Sequence, residues 1–314
     1  MKSMKLFLSL ILISFLSGSY VFAVSVQDVV NNVSQSTYTY YMTDLLYTHL
    51  GDNRGFGAQH DLAQANIYSA FQSYGLTTTL DPFQYNSGTY YNVVGVQLGM
   101  TRPSDIYIIG AHYDSVNNPG ADDNASGTAG VMEAARVLSQ YDFEATLIYI
   151  AFDREEQGLI GSNAYAQAHS YDNILGMISM DMIAYDGSGS NNALIYGHPE
   201  SDPIKYALAA AIAQYGNGLT ATINGSLDAS DHAPFEWQGF DACLLIENDV
   251  WSNPHYHQQS DSIDTPNYIN YVYSTNMVRS TVGYLATVAV LIPEPGTIIL
   301  IGLGFIGIIR KIRF

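Results

Sequence analysis

The chain has 314 residues, of which 47% are hydrophobic and 13% are charged, and its formal net charge is −18. This length allows one large α/β domain or two small ones, with room for a substantial core. Five of the eleven Lys and Arg residues lie in the terminal segments, so the body between them is strongly acidic. Such a body repels nucleic acid and anionic lipid, which excludes nucleic acid as a partner and suits an extracellular domain.

The first residues have the pattern of a secretory signal peptide. Lys2 and Lys5 precede an apolar stretch at 6–16, and Val-Phe-Ala at 21–23 ends on a small residue. A charged start, a short apolar core and a small-residue cleavage site predict that residues 1–23 are removed on export. The alternative is an N-terminal membrane anchor, for which this apolar stretch is short.

The body alternates between short apolar runs and helical patterns. The predicted strands lie at 91–98, 106–111, 146–152, 174–180, 193–196 and 242–247. The predicted helices lie at 26–50, 58–74, 127–140, 159–169, 203–215 and 267–291. This alternation predicts a three-layer, doubly wound α/β fold, with a mostly parallel mixed sheet and helices on both faces. No Pro- or Ser-rich linker interrupts residues 24–292, so they are predicted to form a single domain.

Acids and histidines recur at the ends of the apolar runs. The motifs are GAHYDS (110–115), GADDNASG (120–127), DREEQG (153–158), SMDM (179–182) and PHYHQQSD (254–261). The carboxyl ends of strands in an open α/β sheet meet at one edge, so we expect these residues to converge on one site. Oxygen and imidazole ligands suit zinc, with manganese or cobalt as substitutes. One shared carboxylate and two private ligands per ion would hold two metals, which predicts a two-metal hydrolase.

Other hydrolytic chemistries lack their residues. No serine lies in a G-x-S-x-G motif, so an α/β-hydrolase nucleophile is missing. The H-E-x-x-H motif of single-zinc proteases is also missing from the sequence. Cys243 is the only cysteine, which excludes an internal disulfide, and its apolar neighbours predict a buried thiol.

The five motifs resemble, in order, those of the co-catalytic di-zinc aminopeptidases. This family of bacterial leucyl-type aminopeptidases also includes glutaminyl cyclases and glutamate carboxypeptidase-like enzymes. The resemblance covers residues 92–264 and implies two zinc ions. It implies Asp123 as the bridging ligand, with His112 and Asp181 on one metal. The other metal would take the remaining ligands, Glu156 and His257.

The resemblance also implies the residues that act beside the metals. Glu155 would be the general base that takes a proton from the attacking water, and the Asp123–Asn124 peptide bond would be cis. Some relatives have an oxyanion-binding tyrosine three residues before a Ser-Asp-His triplet, where this chain has Leu227. Others have it immediately before the last histidine ligand, which points to Tyr256 as the catalytic hydroxyl donor.

Local geometry adds two expectations. Adjacent residues on a strand point to opposite faces, so Glu155 and Glu156 can share a site only where the strand has ended. Asp114 lies two residues after His112 on an extended segment, and so its carboxylate can accept the free ring N–H of that histidine. Such a bond would set the tautomer of the metal ligand.

Neighbouring residues receive less specific roles. His255 and His232 are competitors for the position assigned to His257. Asp122 is expected to be a solvated or hydrogen-bonded neighbour and not a ligand, and Asp153 and Arg154 are expected to form surface contacts. Structural roles are assigned to His49, His60, His169 and His198.

The C-terminal segment resembles the Pro-Glu-Pro sorting tail of exported bacterial proteins. Pro-Glu-Pro at 293–295 precedes an apolar run at 297–309 and a basic end. The resemblance implies that a membrane transpeptidase-like enzyme processes the tail at 293–314, after transient attachment to the membrane. The alternative is a permanent membrane anchor, although the run is short for a span of about 20 residues.

Together these features predict an exported zinc aminopeptidase, at the cell surface or outside the cell, that acts on peptides with a free N-terminus. A carboxypeptidase on the same scaffold would need a basic clamp, and only six basic residues remain in the body. A glutaminyl cyclase is a second alternative, and the full two-metal set argues against it. The third is an inactive surface binding module, against which the intact ligands and base argue.

Overall fold

An eight-stranded mixed sheet lies at the centre of the computed structural model, which describes residues 23–292. The strands are β1 (Thr77–Tyr85), β2 (Gly88–Gln97), β3 (Arg102–His112), β4 (Ala145–Phe152), β5 (Ile174–Met180), β6 (Asn192–Tyr196), β7 (Thr220–Ile223) and β8 (Ala242–Glu247). Their order is β1-β2-β4-β3-β5-β8-β6-β7. The central strands β4, β3, β5 and β8 are parallel, whereas β1, β2 and β6 join through antiparallel pairs. This confirms the predicted fold class.

Helices cover both faces of the sheet. They are α1 (Val26–Val30), α2 (Gln35–Tyr40), α3 (Ala58–Ser73), α4 (Gly127–Leu138), α5 (Ile160–Ala168), α6 (Asp202–Tyr215), α7 (Ala233–Trp237) and α8 (Tyr271–Val288). The aromatic residues of β4 show the two layers. Tyr149 lies 6.4 Å from Phe71 of α3, measured between ring centroids. Phe152 faces the opposite layer, where its ring lies 6.4 Å from that of Tyr165 in α5 and 6.1 Å from that of Phe235 in α7.

Burial on both faces explains the composition of β4. All eight residues of Ala145–Phe152 are buried, and the strand reads as one apolar run, ATLIYIAF. A strand with one solvated face would alternate apolar and polar residues, whereas a central parallel strand has no such face. The run ends at Phe152, and the polar segment that follows therefore lies at the carboxyl edge of the sheet.

The prediction of one long helix at 26–50 is wrong. The segment contains α1, α2 and a π-helical turn at Tyr41–Leu45. Ser34 starts a new helix because its hydroxyl accepts the N–H of Thr37, and Tyr47 adopts a left-handed backbone with φ 53°. Local capping thus interrupts the helix that the sequence predicted over 26–50.

Two strands and one helix start also differ from prediction. β1 and β7 are rich in threonine and partly exposed, so neither forms an apolar run that the sequence pattern could identify. The last helix begins at Tyr271, later than predicted, because the Asn270 side chain caps it by accepting the N–H of Tyr273.

No helix within residues 23–292 is long and apolar enough to span a bilayer. The predicted signal peptide and sorting tail lie outside the described residues, apart from Ala23. Residues Ser25–Ile292 form one compact unit.

Candidate metal centre

Three adjacent parallel strands bring the first group of acids and histidines together. His112 is the last residue of β3, and Asp181 follows the last residue of β5. β3 pairs with β4 on one side and with β5 on the other, so their carboxyl ends are neighbours. Arg154 has a left-handed φ of 62° after β4, and the turn there lets Glu155 and Glu156 reach the same pocket. The expected end of the strand before the two glutamates is confirmed.

Asp123 lies between the two histidines of the cluster. Its Oδ1 is 3.4 Å from Nε2 of His112, which is also 3.5 Å from Oδ1 of Asp181. Its Oδ2 is 3.1 Å from Nε2 of His257, which is also 3.4 Å from Oε2 of Glu156. One oxygen of this carboxylate thus lies near His112 and the other near His257.

The cluster fits divalent metal ions. Buried oxygens of Asp123, Glu156 and Asp181 have no hydrogen-bond partner among the described residues. Donor atoms of His112, Asp123 and Glu156 lie within 4.8 Å of one another, as do those of His112, Glu155 and Asp181. Unpaired carboxylates in a protein interior are costly unless they coordinate a metal. By position alone Glu155 could serve as a ligand as well as a base.

The pocket also shifts the acidity of its carboxyl groups. Burial raises the pKa of Glu155 well above its usual range, and the nearby charge of Asp231 adds to this. Burial and the charge of Asp123 raise the pKa of Glu156 to about 7. Burial opposes the ionisation of Asp123, but the adjacent imidazoles of His112 and His257 outweigh it and lower the pKa of Asp123. Glu155 therefore holds a proton more readily than an ordinary glutamate.

A hydrogen-bonded turn fixes the position of Asp123. The carboxylate of Asp261 accepts the backbone N–H of Asp122 at 2.7 Å and that of Asp123 at 3.1 Å. The side chain of Asn124 donates to the carbonyl of Met180 at 2.9 Å, which joins the turn to the end of β5. The Asp123–Asn124 peptide bond is cis, as expected from the resemblance.

Asp122 is a buried, hydrogen-bonded neighbour of the cluster. Its carboxylate accepts the N–H of Ala184 at 2.8 Å and the side-chain amide of Asn253 at 3.1 Å. Asp122 was predicted to be either solvated or hydrogen-bonded. It is fully buried, so it is hydrogen-bonded and not solvated.

Asp114 holds the turn of the two glutamates. Its carboxylate accepts the backbone N–H of Glu155 at 3.2 Å and of Glu156 at 3.3 Å. Nδ1 of His112 lies 3.2 Å from the backbone oxygen of Asp114 and 3.5 Å from its carboxylate. The predicted carboxylate bond to the ring is therefore longer than the bond to the backbone, and sequence reasoning missed the contacts to the turn.

The prediction of surface contacts for Asp153 and Arg154 is wrong, because both side chains are buried. The Arg154 guanidinium lies 4.1 Å from the ring centroid of Phe56 and 4.3 Å from that of Tyr90. Asp153 pairs with His60 at 2.9 Å. The segment before α3 and strand β2 cover this end of β4, a long-range contact that local sequence does not indicate.

The competing histidines lie away from Asp123. His255 contacts the hydroxyl of Ser260 through Nδ1 at 2.8 Å and packs edge-on against Tyr268. His232 is fully buried and does not line the pocket. Of the three candidates it is thus His257 that the structure brings to the cluster.

A cavity of about 380 Å³ opens above the cluster. Its polar wall includes His112, Asp123, Glu155, Glu156, Asp181 and His257. Its apolar wall consists of Met182, Leu227, Leu244, Ile246 and Val250. Tyr256 and Trp251 also line the cavity, and the ring of Tyr256 stacks on His257 with a centroid distance of 3.9 Å.

Sequence reasoning missed most of the apolar wall and a contact beside it. In the sequence, Leu244, Ile246 and Val250 read as ordinary core residues. Ser230 donates through its hydroxyl to Oδ2 of Asp181 at 2.7 Å. Its position in the Ser-Asp-His triplet was the available signal.

Comparisons with known proteins identify the family of the chain. The sequence model of peptidase family M28 matches residues 92–282, more than half of the chain. The chain belongs to peptidase family M28. The PEP-CTERM protein-sorting motif matches residues 291–313, and both matches confirm the resemblances stated from the motifs.

Individual relatives cover different parts of the chain. Aminopeptidase YwaD of Bacillus subtilis is 31% identical over 196 residues, which are 59% of this chain and 42% of YwaD. The chain therefore spans less than half of that relative. The LapA aminopeptidase of Legionella pneumophila has a TM-score of 0.72 at 22% identity, over 87% of this chain and 78% of LapA. A glutaminyl cyclase of Porphyromonas gingivalis has a TM-score of 0.68 at 19% identity, over 82% and 99% respectively. These two likenesses show a shared fold.

Proposed function

We propose that the chain is a zinc aminopeptidase that releases apolar N-terminal residues from peptides. The observation that carries this proposal is the pairing of a carboxylate-rich wall with an apolar wall in one cavity. A free N-terminus is a cation, which carboxylates attract, and the apolar wall offers room for the first side chain.

The charge of the cavity favours an aminopeptidase over a carboxypeptidase. A C-terminal carboxylate needs a cationic partner, and none of the described residues that line the cavity is a lysine or an arginine. A glutaminyl cyclase has the same fold, but both donor pairs around Asp123 are complete, which favours metal-assisted hydrolysis. The complete donor set argues equally against an inactive binding module.

Two zinc ions fit the donors, with Asp123 between them. His112 and Asp181 would hold one ion, and Glu156 and His257 the other. When bound, the metals would supply Lewis acidity and neutralise developing negative charge. The protein atoms alone argue for this pairing, because each oxygen of Asp123 faces one histidine.

The remaining groups would move protons and position the substrate. Glu155 has a raised pKa, so it is suited to take a proton from the attacking water and return it to the leaving amine. Asp114 would keep Glu155 in place through the backbone of the turn. Tyr256 would donate its hydroxyl to the oxyanion, where one such donor contributes about 10²–10³ in kcat.

Export of the protein is part of the same proposal. Residues 1–23 would be removed as a signal peptide, and 24–292 would be the catalytic domain. The tail at 293–314, which the PEP-CTERM match covers as far as residue 313, would attach the chain to the membrane until a sorting transpeptidase cleaves it. Intact-mass analysis of surface protein from the native host tests this, because a mass that retains the tail contradicts cleavage.

A panel of aminoacyl-anilides, with zinc analysis, tests the activity. We expect release of anilide from leucyl and phenylalanyl substrates, none from their N-acetyl forms, and loss of activity on removal of zinc. Equal cleavage of N-acetylated substrates would contradict an aminopeptidase. Activity that persists in metal-free protein would contradict the metal assignment.

A further inference from the structure

We propose that His198, Asp228 and Glu236 bind a further divalent metal ion, zinc by preference, at the rim of the cavity. One donor atom from each residue lies within 4.8 Å of the other two. Nε2 of His198 is 2.9 Å from Oδ1 of Asp228 and 3.6 Å from Oε2 of Glu236. None of the three belongs to the donor set around Asp123, so the site is separate from the candidate centre.

The carboxylate of Glu236 gives independent evidence for a ligand. Its side chain is only 2% exposed. Oε1 accepts the hydroxyl of Ser201 at 2.6 Å and the backbone N–H of His198 at 2.7 Å. Oε2 is buried, faces His198 and has no hydrogen-bond partner within residues 23–292. The protein thus fixes the carboxylate by one oxygen and aims the other, unsatisfied, at the centre of the trio.

The spacing of the donors matches a small ion. Zinc bonds to nitrogen and oxygen of about 2.0–2.2 Å place tetrahedral ligands roughly 3.3–3.6 Å apart. The 3.6 Å distance from Nε2 of His198 to Glu236 lies in that range, and the 2.9 Å distance to Asp228 is shorter than its lower end. Oδ2 of Asp228 accepts the indole N–H of Trp237 at 3.2 Å, a contact that orients the carboxylate as outer partners of metal ligands do.

A hydrogen bond from His198 to one carboxylate is the alternative to a metal. In that arrangement Nε2 donates to Asp228 at 2.9 Å, and Glu236 stays at 3.6 Å, too far for a hydrogen bond. The buried Oε2 of Glu236 would remain unsatisfied. A metal ion would satisfy all three donors, and so it accounts for more of the geometry.

The metal would stabilise one side of the substrate cavity. His198 follows β6, Asp228 lies in the loop between β7 and α7, and Glu236 lies in α7. Leu227 and Asp228 both line the cavity, so an ion held by Asp228 would fix this loop against two neighbouring elements. The site would therefore order part of the apolar wall without touching the reacting atoms.

Zinc stoichiometry tests the proposal on the purified full-length protein. Metal analysis after zinc saturation and removal of free ion should find one equivalent less in His198→Asn than in the unchanged protein. His169→Asn is the matched control, because His169 pairs with Asp172 at 2.7 Å and belongs to no three-ligand group in the part of the chain described. The control should bind as much zinc as the unchanged protein.

Two further variants separate this site from the candidate centre. Asp228→Asn should also lose one equivalent, which guards against an indirect effect of His198→Asn on folding. His257→Ala should lose zinc at the candidate centre and keep the equivalent that His198→Asn removes. Loss of zinc at one site can therefore be distinguished from loss at the other. Zinc should also raise the Tm of the unchanged protein more than that of His198→Asn. Equal zinc content in the unchanged protein, His198→Asn and Asp228→Asn would overturn the proposal.

Discussion

The two walls of the cavity differ in what stabilises them. The polar wall gathers buried carboxylates that have unsatisfied oxygens, which a bound cation would stabilise. The apolar wall packs as a hydrophobic cluster around Met182, Leu244, Ile246 and Val250, with Leu227 against it. One wall is therefore suited to chemistry and the other to selection of the substrate.

The walls also come from different parts of the fold. The ends of β3, β4 and β5 supply most of the polar wall, whereas β8 and the loop after β7 supply most of the apolar wall. Because separate elements carry chemistry and selection, substitutions in one wall should leave the property of the other largely unchanged. The following experiments test that separation.

The largest effect is expected at the two adjacent glutamates of the polar wall. Glu155→Gln should lower kcat by about 10²–10⁴ and keep the zinc content, because it removes only a proton acceptor. Glu156→Gln should lower the zinc content itself, since it replaces a charged ligand. Parallel kinetics and metal analysis of both variants measure the difference. An equal loss of zinc in the two would show that Glu155 is a ligand.

A smaller effect on kcat is expected at Tyr256, which lines the cavity beside His257 of the polar wall. Tyr256→Phe keeps the ring that stacks on His257 and removes only the hydroxyl. We expect kcat to fall by about 10²–10³ with unchanged zinc content, as for loss of one oxyanion donor. Near-normal kcat on an aminoacyl-anilide would assign Tyr256 to packing alone.

The apolar wall should respond in selectivity. Leu227→Ala should lower kcat/KM for a leucyl substrate by about tenfold, because methylene contacts in such a pocket contribute 1–3 kcal/mol each at best. The value for an alanyl substrate should change by less than about twofold, and zinc content should stay constant. Leu62→Ala, on an exposed position of α3, is the matched control and should change neither value. Equal losses for both substrates would break the proposed division between the walls.

The smallest effect on activity is expected at His232, which follows Leu227 of the apolar wall in the chain. Burial lowers its pKa from 6.5 to about 4, so the folded protein holds the ring neutral. The unfolded chain takes up this proton at a higher pH than the folded protein does. The free energy of unfolding therefore decreases as the pH falls from 6.5 to 4, by about 3 kcal/mol in total. In His232→Asn this share of the pH dependence of stability should disappear, and kcat at pH 7 should change little. Urea unfolding at several pH values measures it, and parallel curves for the two proteins would contradict the assignment.

The sequence by itself determined the fold class and the residues of the polar wall. Imidazole and carboxylate groups at the ends of buried strands are rare and chemically distinctive, and the resemblance of the motifs to the di-zinc aminopeptidases singled out Asp123, Glu156 and His257 among them. Adjacent parallel strands end at one edge, and this rule alone places His112 near Asp181. Their metal-binding roles remain predictions for the experiments above.

Only the tertiary structure decided which apolar residues face the cavity and which polar residues meet far from the motifs. In sequence, Ile246 and Val250 cannot be told from core residues, because an apolar side chain suits either the core or the cavity wall. The strand order decides which of the two each residue faces. Arg154 is buried because distant segments cover it, and His198 meets Glu236 only where separate elements pack together. Long-range packing sets these contacts, and a local sequence pattern carries no record of it.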